Sequence, residues 1–261
     1  MTGATGTLGR AVVPRLRADG CGVRGTARRV GPGGGVEGVV ADLGSGAGLD
    51  QAVAGADAVV HLASATTQYR RAGEVDVAGT RRLVEASASA GVRHLVYVSI
   101  VGIDKIPLGY YRHKLAAERV VRQAEVPWSI LRATQFPQLL DERLLPAASV
   151  LGVVLGDDGV TIQPVDPRDV ADRLAALLDA GPTRAVEDLG GPEVLRYADV
   201  VRPWLRARGR KQRILRLRFP GRIARAMRAG ALTTNAQPTG TRTWEEYLAE
   251  RYGTEQVDRL S

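Results

Sequence analysis

Tyr110 and Lys114 stand four residues apart, a spacing that puts a phenol and an ammonium on one face of a helix, and Ser99 precedes them by a short interval. A neighbouring positive charge favours the phenolate and so lowers the tyrosine pKa. A phenol tuned in this way can give a proton to a carbonyl oxygen, or take one from an alcohol, while hydride moves to or from a nicotinamide. The Ser99 hydroxyl can hydrogen-bond the same oxygen. Tyr111 and Lys114 form a competing pair three apart, and spacing alone does not choose between the two phenols.

A nicotinamide needs a seat, and the chain opens with one: Gly3-Ala4-Thr5-Gly6-Thr7-Leu8-Gly9, running straight into the helical pattern that begins at Arg10. Gly3 permits a tight strand-to-helix turn, Gly6 lets backbone N–H groups approach a pyrophosphate, and Gly9 lets the helix pack on a sheet. The helix N-terminus then holds the anion. Arg28 and Arg29 follow the next strand, Arg28 lying 19 residues after Gly9, where a protein selective for NAD places an acidic residue for the ribose hydroxyls. Arginine there can pair with a 2′-phosphate, so the expected cofactor is NADP(H) rather than NAD(H). The competing reading is two exposed arginines in an arginine-rich chain.

These residues need elements to position them. Helical spacing covers residues 10–18, 49–54, 74–90, 110–124, 138–151, 169–178 and 243–252, and strand-length runs cover 22–26, 36–41, 56–63, 94–99 and 128–132. Strands alternating with helices predict a parallel sheet covered on both faces, with right-handed crossovers. The expected fold class is therefore α/β: a Rossmann-type doubly wound parallel sheet with a small C-terminal substrate-cap region. One NAD(P)-binding domain spans 1–261, with 1–135 mainly dinucleotide-binding and 136–261 mainly substrate cap and C-terminal helices. Only Met1 and Thr2 precede Gly3, so the first strand reads as truncated. A GTG valine codon called as a start would explain Met1 and would leave further strand codons upstream.

Composition narrows the remaining classes. Cys21 is the only cysteine, and His61, His94 and His113 are scattered without metal-ligand spacing, so no metal site is expected. No run approaches the roughly 18 apolar residues of a membrane span and no signal-like N-terminus is seen, which predicts a cytoplasmic protein without membrane insertion. The net charge of +8 is concentrated in residues 202–228, which carry no Asp or Glu. Their arginines are interleaved with Leu, Ile and Ala and few aromatics, which reads as a solvated face rather than a nucleic-acid surface. Within it, residues 214–219 alternate as a strand with one charged face. The expected partner is a small-molecule substrate, and the expected state is monomer or homodimer.

The Gly3–Gly9 loop, Ala41-Asp42-Leu43, His61-Leu62-Ala63-Ser64, Asp76-Val77-Ala78-Gly79-Thr80, Ser99, Tyr110 with Lys114, and the 164–170 stretch occur in an order that resembles the atypical or extended short-chain dehydrogenase/reductases, including the NmrA-like proteins. The resemblance spans nearly the whole chain. It implies that Gly3, Thr5, Gly6, Thr7, Leu8 and Gly9 hold the pyrophosphate, that Asp42 and Leu43 meet the adenine, and that Ala63 and Ser64 line the central cofactor channel. It further implies that Lys114 bonds the nicotinamide ribose, that Ala133 and Thr134 border the nicotinamide, and that Ser99, Tyr110 and Lys114 are catalytic. The implied activity is an NADPH-dependent oxidoreductase acting on a carbonyl or quinone-like small molecule. Two alternatives come from the same resemblance: a non-enzymatic NADP-binding redox sensor of the NmrA-like kind, and an epimerase or isomerase that retains its cofactor.

Overall fold

A computed structural model describes residues 1–28, 36–64 and 73–253. Arg29 and the glycine run 31–35 lie outside the described residues. The nucleotide-binding part runs α1 (Thr7–Ala18), β1 (Arg24–Ala27), β2 (Glu37–Val40), α2 (Leu49–Val53) and β3 (Ala58–His61). A π-helical turn (Gly73–Ala78) then leads into α3 (Gly79–Ser89), followed by β4 (His94–Ile100), α4 (Gly109–Arg122) and β5 (Trp128–Ala133). The chain continues through α5 (Pro137–Leu139), a second π-helical turn (Leu140–Leu144), α6 (Leu145–Ala148), β6 (Ser149–Val150), β7 (Val153–Gly156) and β8 (Thr161–Ile162). It ends with α7 (Pro167–Ala180), β9 (Val186–Leu189), β10 (Leu195–Arg196), α8 (Tyr197–Ala207), β11 (Arg213–Arg216), α9 (Arg222–Arg228) and α10 (Trp244–Tyr252).

The main sheet is parallel. β3, β4, β5 and β9 are hydrogen-bonded in that order, β1 pairs with β2, and Thr2 bridges the two groups through Thr26 and His61. Its order is thus β2, β1, the Thr2 row, β3, β4, β5, β9, and the direction of winding reverses at the row that leads into the Gly3–Gly9 loop. Such a reversal leaves a crevice beyond the carboxyl ends of the strands, where ligands of doubly wound folds sit. Both faces are buried, which is why β4 is apolar at successive positions. Leu95 and Tyr97 pack with Ala117 and Val121 of α4, whereas Val96 packs with Val12 of α1 and Leu174 of α7. The Leu8, Val12, Leu16 spacing puts α1 on the same layer.

The cap is built from two small sheets, β11-β7-β6 and β10-β8, around a core that includes Trp204, Trp244, Leu140 and Val154. α7 and β9 interrupt it by returning to the main sheet. The helix expected over 138–151 is broken instead: it passes through α5, the π-helical turn and α6, and ends in β6. Pro137 starts α5 and Pro146 sits in the first turn of α6, because proline donates no backbone hydrogen bond and suits a first turn. The strand expected over 214–219 extends only over β11, and Leu215, Leu217 and Phe219 are exposed. Within the earlier arginines, Arg202 and Arg206 lie on the exposed side of α8, while Val201, Trp204 and Leu205 are buried. Among the described residues no helix is long and apolar enough to cross a membrane.

Candidate active site

The site grows from the start of α1. Gly3 adopts φ +70°, and a Cβ there would lie 2.8 Å from the Ala63 nitrogen, so the loop presses directly on the segment that leaves β3. A Cβ on Gly9 would overlap the Gly3 carbonyl oxygen, so the first turn of the helix closes over the loop only with glycine. Gly6 caps α1 without a side chain and donates to the Gly3 carbonyl at 3.0 Å. Thr7, Leu8 and Gly9 already belong to the helix, and its first turn holds no acidic residue. Thr5 and Gly6 are exposed, and the Thr5 carbonyl accepts from Arg10 at 2.8 Å. The result is a glycine cradle with uncapped N–H groups at the positive end of a helix, which suits an anionic phosphate.

Arg28 leaves β1 exposed to solvent. Asp42 uses its carboxylate on its own turn, accepting from the Gly44 nitrogen at 3.0 Å and the Ser45 hydroxyl at 3.2 Å. Leu43 is buried against α3, where Gly79 leaves no room for a side chain. Beyond β3, the Leu62 and Ala63 nitrogens both donate to the Thr2 hydroxyl at 3.2 Å. The Thr2 hydroxyl is 2.7 Å from His61 Nδ1, and His61 Nε2 is 2.9 Å from Thr80 Oγ1, which itself donates to the Asp76 carbonyl at 2.6 Å. His61 is therefore a structural residue, and burial, aided by the charge of Lys114, pulls its pKa down to about 3.

Tyr110 and Lys114 lie one turn apart near the start of α4. Lys114 is 3% exposed; its ammonium donates to the Val98 carbonyl at 2.9 Å and lies 4.2 Å over the Tyr97 ring. Burial pushes its pKa down to about 8, opposed by the carboxylates of Asp76 and Glu118. The Tyr110 hydroxyl lies 2.6 Å from the hydroxyl of Ser64. Tyr111 packs instead into an apolar cluster with Ile106 and Ala231, and burial raises its pKa, so of the two phenols Tyr110 has the better surroundings for proton transfer.

Ser99 ends up beside Ile100 at the close of β4, with its hydroxyl buried and without a hydrogen-bond partner. Thr134 is alike: it follows Ala133 at the end of β5, and its buried hydroxyl also lacks a partner. Two such hydroxyls at the carboxyl ends of neighbouring strands cost roughly 1–3 kcal/mol each while unsatisfied, a cost that a polar ligand in the crevice would remove. The glycine cradle and these two hydroxyls fit a dinucleotide. Spacing gave no sign of Tyr97 beneath Lys114, because it lies on another element, while Ser64, expected to line the cofactor channel, sits against Tyr110.

Residues 3–180 match the sequence pattern of a family described as NAD(P)H-binding. A (4-alkanoyl-5-oxo-2,5-dihydrofuran-3-yl)methyl phosphate reductase from Streptomyces griseus is 34% identical over 222 residues, which cover 82% of this chain and 74% of that protein. A short-chain dehydrogenase/reductase superfamily protein from Agrobacterium tumefaciens with bound NAD is 26% identical, with a TM-score of 0.74 over 99% of this chain and 97% of that one. The NADPH-dependent quinone oxidoreductase from Escherichia coli, complexed with NADPH, shares the fold at a TM-score of 0.78 and 20% identity, covering 96% of this chain and 98% of that one.

Proposed function

The chain belongs to the NAD(P)H-binding family, within the atypical short-chain dehydrogenase/reductases, and on that premise we propose that it is an NADPH-dependent reductase of a carbonyl or quinone-like small molecule with Tyr110 as proton donor. The observation that carries this reading is the buried cationic Lys114 one turn from Tyr110. When bound, the reduced nicotinamide supplies the hydride. The Gly3–Gly9 cradle and the start of α1 hold the pyrophosphate, and Arg28 receives a 2′-phosphate. Thr134 and Lys114 border the nicotinamide end. Ser99 hydrogen-bonds the substrate oxygen and orients it toward Tyr110. Tyr110 then gives its proton to that oxygen, and the charge of Lys114 stabilises the phenolate left behind.

The name of the Streptomyces relative describes an oxo group on an unsaturated ring, an electrophile of the class that accepts hydride while its oxygen gains negative charge. A proton donor at that oxygen serves a carbonyl, a quinone or an unsaturated lactone alike. Titration of NADPH and NADH into wild type and Arg28→Ala tests the cofactor assignment: the variant is expected to lose about tenfold in NADPH affinity and little in NADH affinity. A quinone and carbonyl turnover screen with Tyr110→Phe tests the chemistry, and the variant is expected to fall by roughly 10²–10⁴-fold. Cofactor binding without tyrosine-dependent turnover would instead favour a sensor.

A further inference from the structure

We infer that Ser64 is a positioning residue for Tyr110, its hydroxyl fixing the phenol at the mouth of the crevice and donating to the phenolate once the proton has gone. The inference rests on the proposed role of Tyr110 as proton donor. Its basis is the 2.6 Å contact between the two hydroxyl oxygens. Ser99, the serine nearer in sequence, has a buried hydroxyl with no hydrogen-bond partner among the described residues, so it is not the hydroxyl that holds Tyr110.

The position of Ser64 follows from the glycine loop. Its two preceding nitrogens, on Leu62 and Ala63, hang from the Thr2 hydroxyl, and Ala63 fills the space that a side chain on Gly3 would need. The cradle that seats a pyrophosphate is therefore in contact with the segment that carries the partner of the acid.

The chemical step balances within the proposed reaction. A bound reduced nicotinamide would supply hydride to the electrophilic carbon and be oxidised as its C–H bond breaks, and the electron pair of the carbon–oxygen π bond would move to oxygen. The Tyr110 O–H bond breaks, its proton joins the oxygen, and the phenoxide keeps the bonding pair. Ser64 then donates a hydrogen bond to the phenoxide, Lys114 stabilises it through its field, and solvent later returns the missing proton. A donor to the charged form lowers a pKa, so Ser64 makes Tyr110 a stronger acid.

The experiment follows Tyr110 directly, by NMR titration of ring-labelled tyrosine in the cofactor-free protein, its signal assigned through Tyr110→Phe. Ser64→Ala is expected to raise the Tyr110 titration by about one pH unit and to lower turnover roughly tenfold at saturating NADPH. Ser64→Thr, which keeps a hydroxyl, is expected to restore both. If Tyr110→Phe is inactive but Ser64→Ala leaves the titration unmoved, whatever its turnover, the role of Ser64 is overturned and the proton donor stands. If Tyr110→Phe retains full turnover while Ser64→Ala moves the titration, the hydrogen bond stands and the proposed proton donor falls.

Discussion

At the scale of single residues, Lys114 does the most to make Tyr110 useful, and its burial fixes the pH range in which it can. Its pKa is drawn from the ordinary 10.5 to about 8 by loss of solvent, with Asp76 and Glu118 acting in the opposite sense. Near neutrality the ammonium still exceeds the amine by about tenfold. As pH rises through about 8 the proton leaves, and with it the field that favours phenolate. Turnover is therefore expected to show a basic limb near that pH, and Lys114→Met is expected to lose roughly a hundredfold or more and to lack the limb. A limb that persists in Lys114→Met would assign it to another group. Stability moves the other way: between about 8 and 10.5 the unfolded chain holds more protons on this lysine than the folded one, so its contribution to stability rises with pH. A fall in activity across that window is thus separable from unfolding by a thermal melt at each pH. Of this site, the Tyr110–Lys114 pair was legible in the sequence because a helix converts a spacing of four into proximity. The Ser64–Tyr110 contact was not, because 46 residues and a change of element separate the two.

At the scale of elements, legibility followed burial on two faces. β3, β4 and β5 stand out as continuous apolar runs because helices cover both sides of the sheet. β9 carries Glu187 and Asp188 between its two apolar ends, and the cap strands β6, β8 and β10 span two residues each, too few for any period to register. The expected helix over 138–151 concealed the feature that organises the cap. The π-helical turn there points Asp141, fully buried, at Trp204 Nε1 (2.9 Å), Tyr247 Oη (3.0 Å) and Tyr252 Oη (2.7 Å), with Arg251 at 2.9 Å and Arg208 at 3.3 Å. Those hydrogen-bonding aromatics are 63 to 111 residues away in sequence, so no local pattern announces the carboxylate that gathers α8 and α10. Removing a buried carboxylate strands its donors and its arginines, which costs about 3–5 kcal/mol. Asp141→Ala is accordingly expected to lower the melting temperature and to make α8 and α10 the first segments cut in limited proteolysis, with Asp141→Asn intermediate. Equal protease resistance in wild type and Asp141→Ala would show that the apolar cap core around Trp204 and Trp244 holds without it.

At the scale of the whole molecule, the main sheet is two groups of strands joined through Met1 and Thr2. The doubly wound order was legible from the alternation of strands and helices. The join itself emerges only from the hydrogen bonds: Met1 donates to the Arg24 carbonyl and accepts from the Thr26 nitrogen on the β1 side, and Thr2 bonds toward β3. Its nitrogen donates to the Val60 carbonyl, and its hydroxyl sits between His61 and the Leu62 and Ala63 nitrogens. Thr80 commits its proton to the Asp76 carbonyl, so it must accept from His61 Nε2–H, which leaves His61 Nδ1 to accept from Thr2. Burial of the ring, with the charges of Lys114 and the Met1 ammonium nearby, disfavours a second proton, and the pKa falls from 6.5 to about 3. Below 6.5 the unfolded chain takes up a proton that the folded one refuses, so stability falls as pH drops from there toward about 3, by a total on the order of 5 kcal/mol from this residue. Other carboxylates add their own acid response, and the difference between wild type and His61→Gln isolates this one. The variant is expected to be less stable at neutral pH but flatter between pH 6.5 and 4. Because the protonated ring pushes on the join itself, hydrogen exchange in acid is expected to release the amides of β1 and β2 before those of β4 and β5. Simultaneous release of both groups would mean that the helices packed across the sheet, α1 against α7 above all, hold its halves together more firmly than Thr2 does.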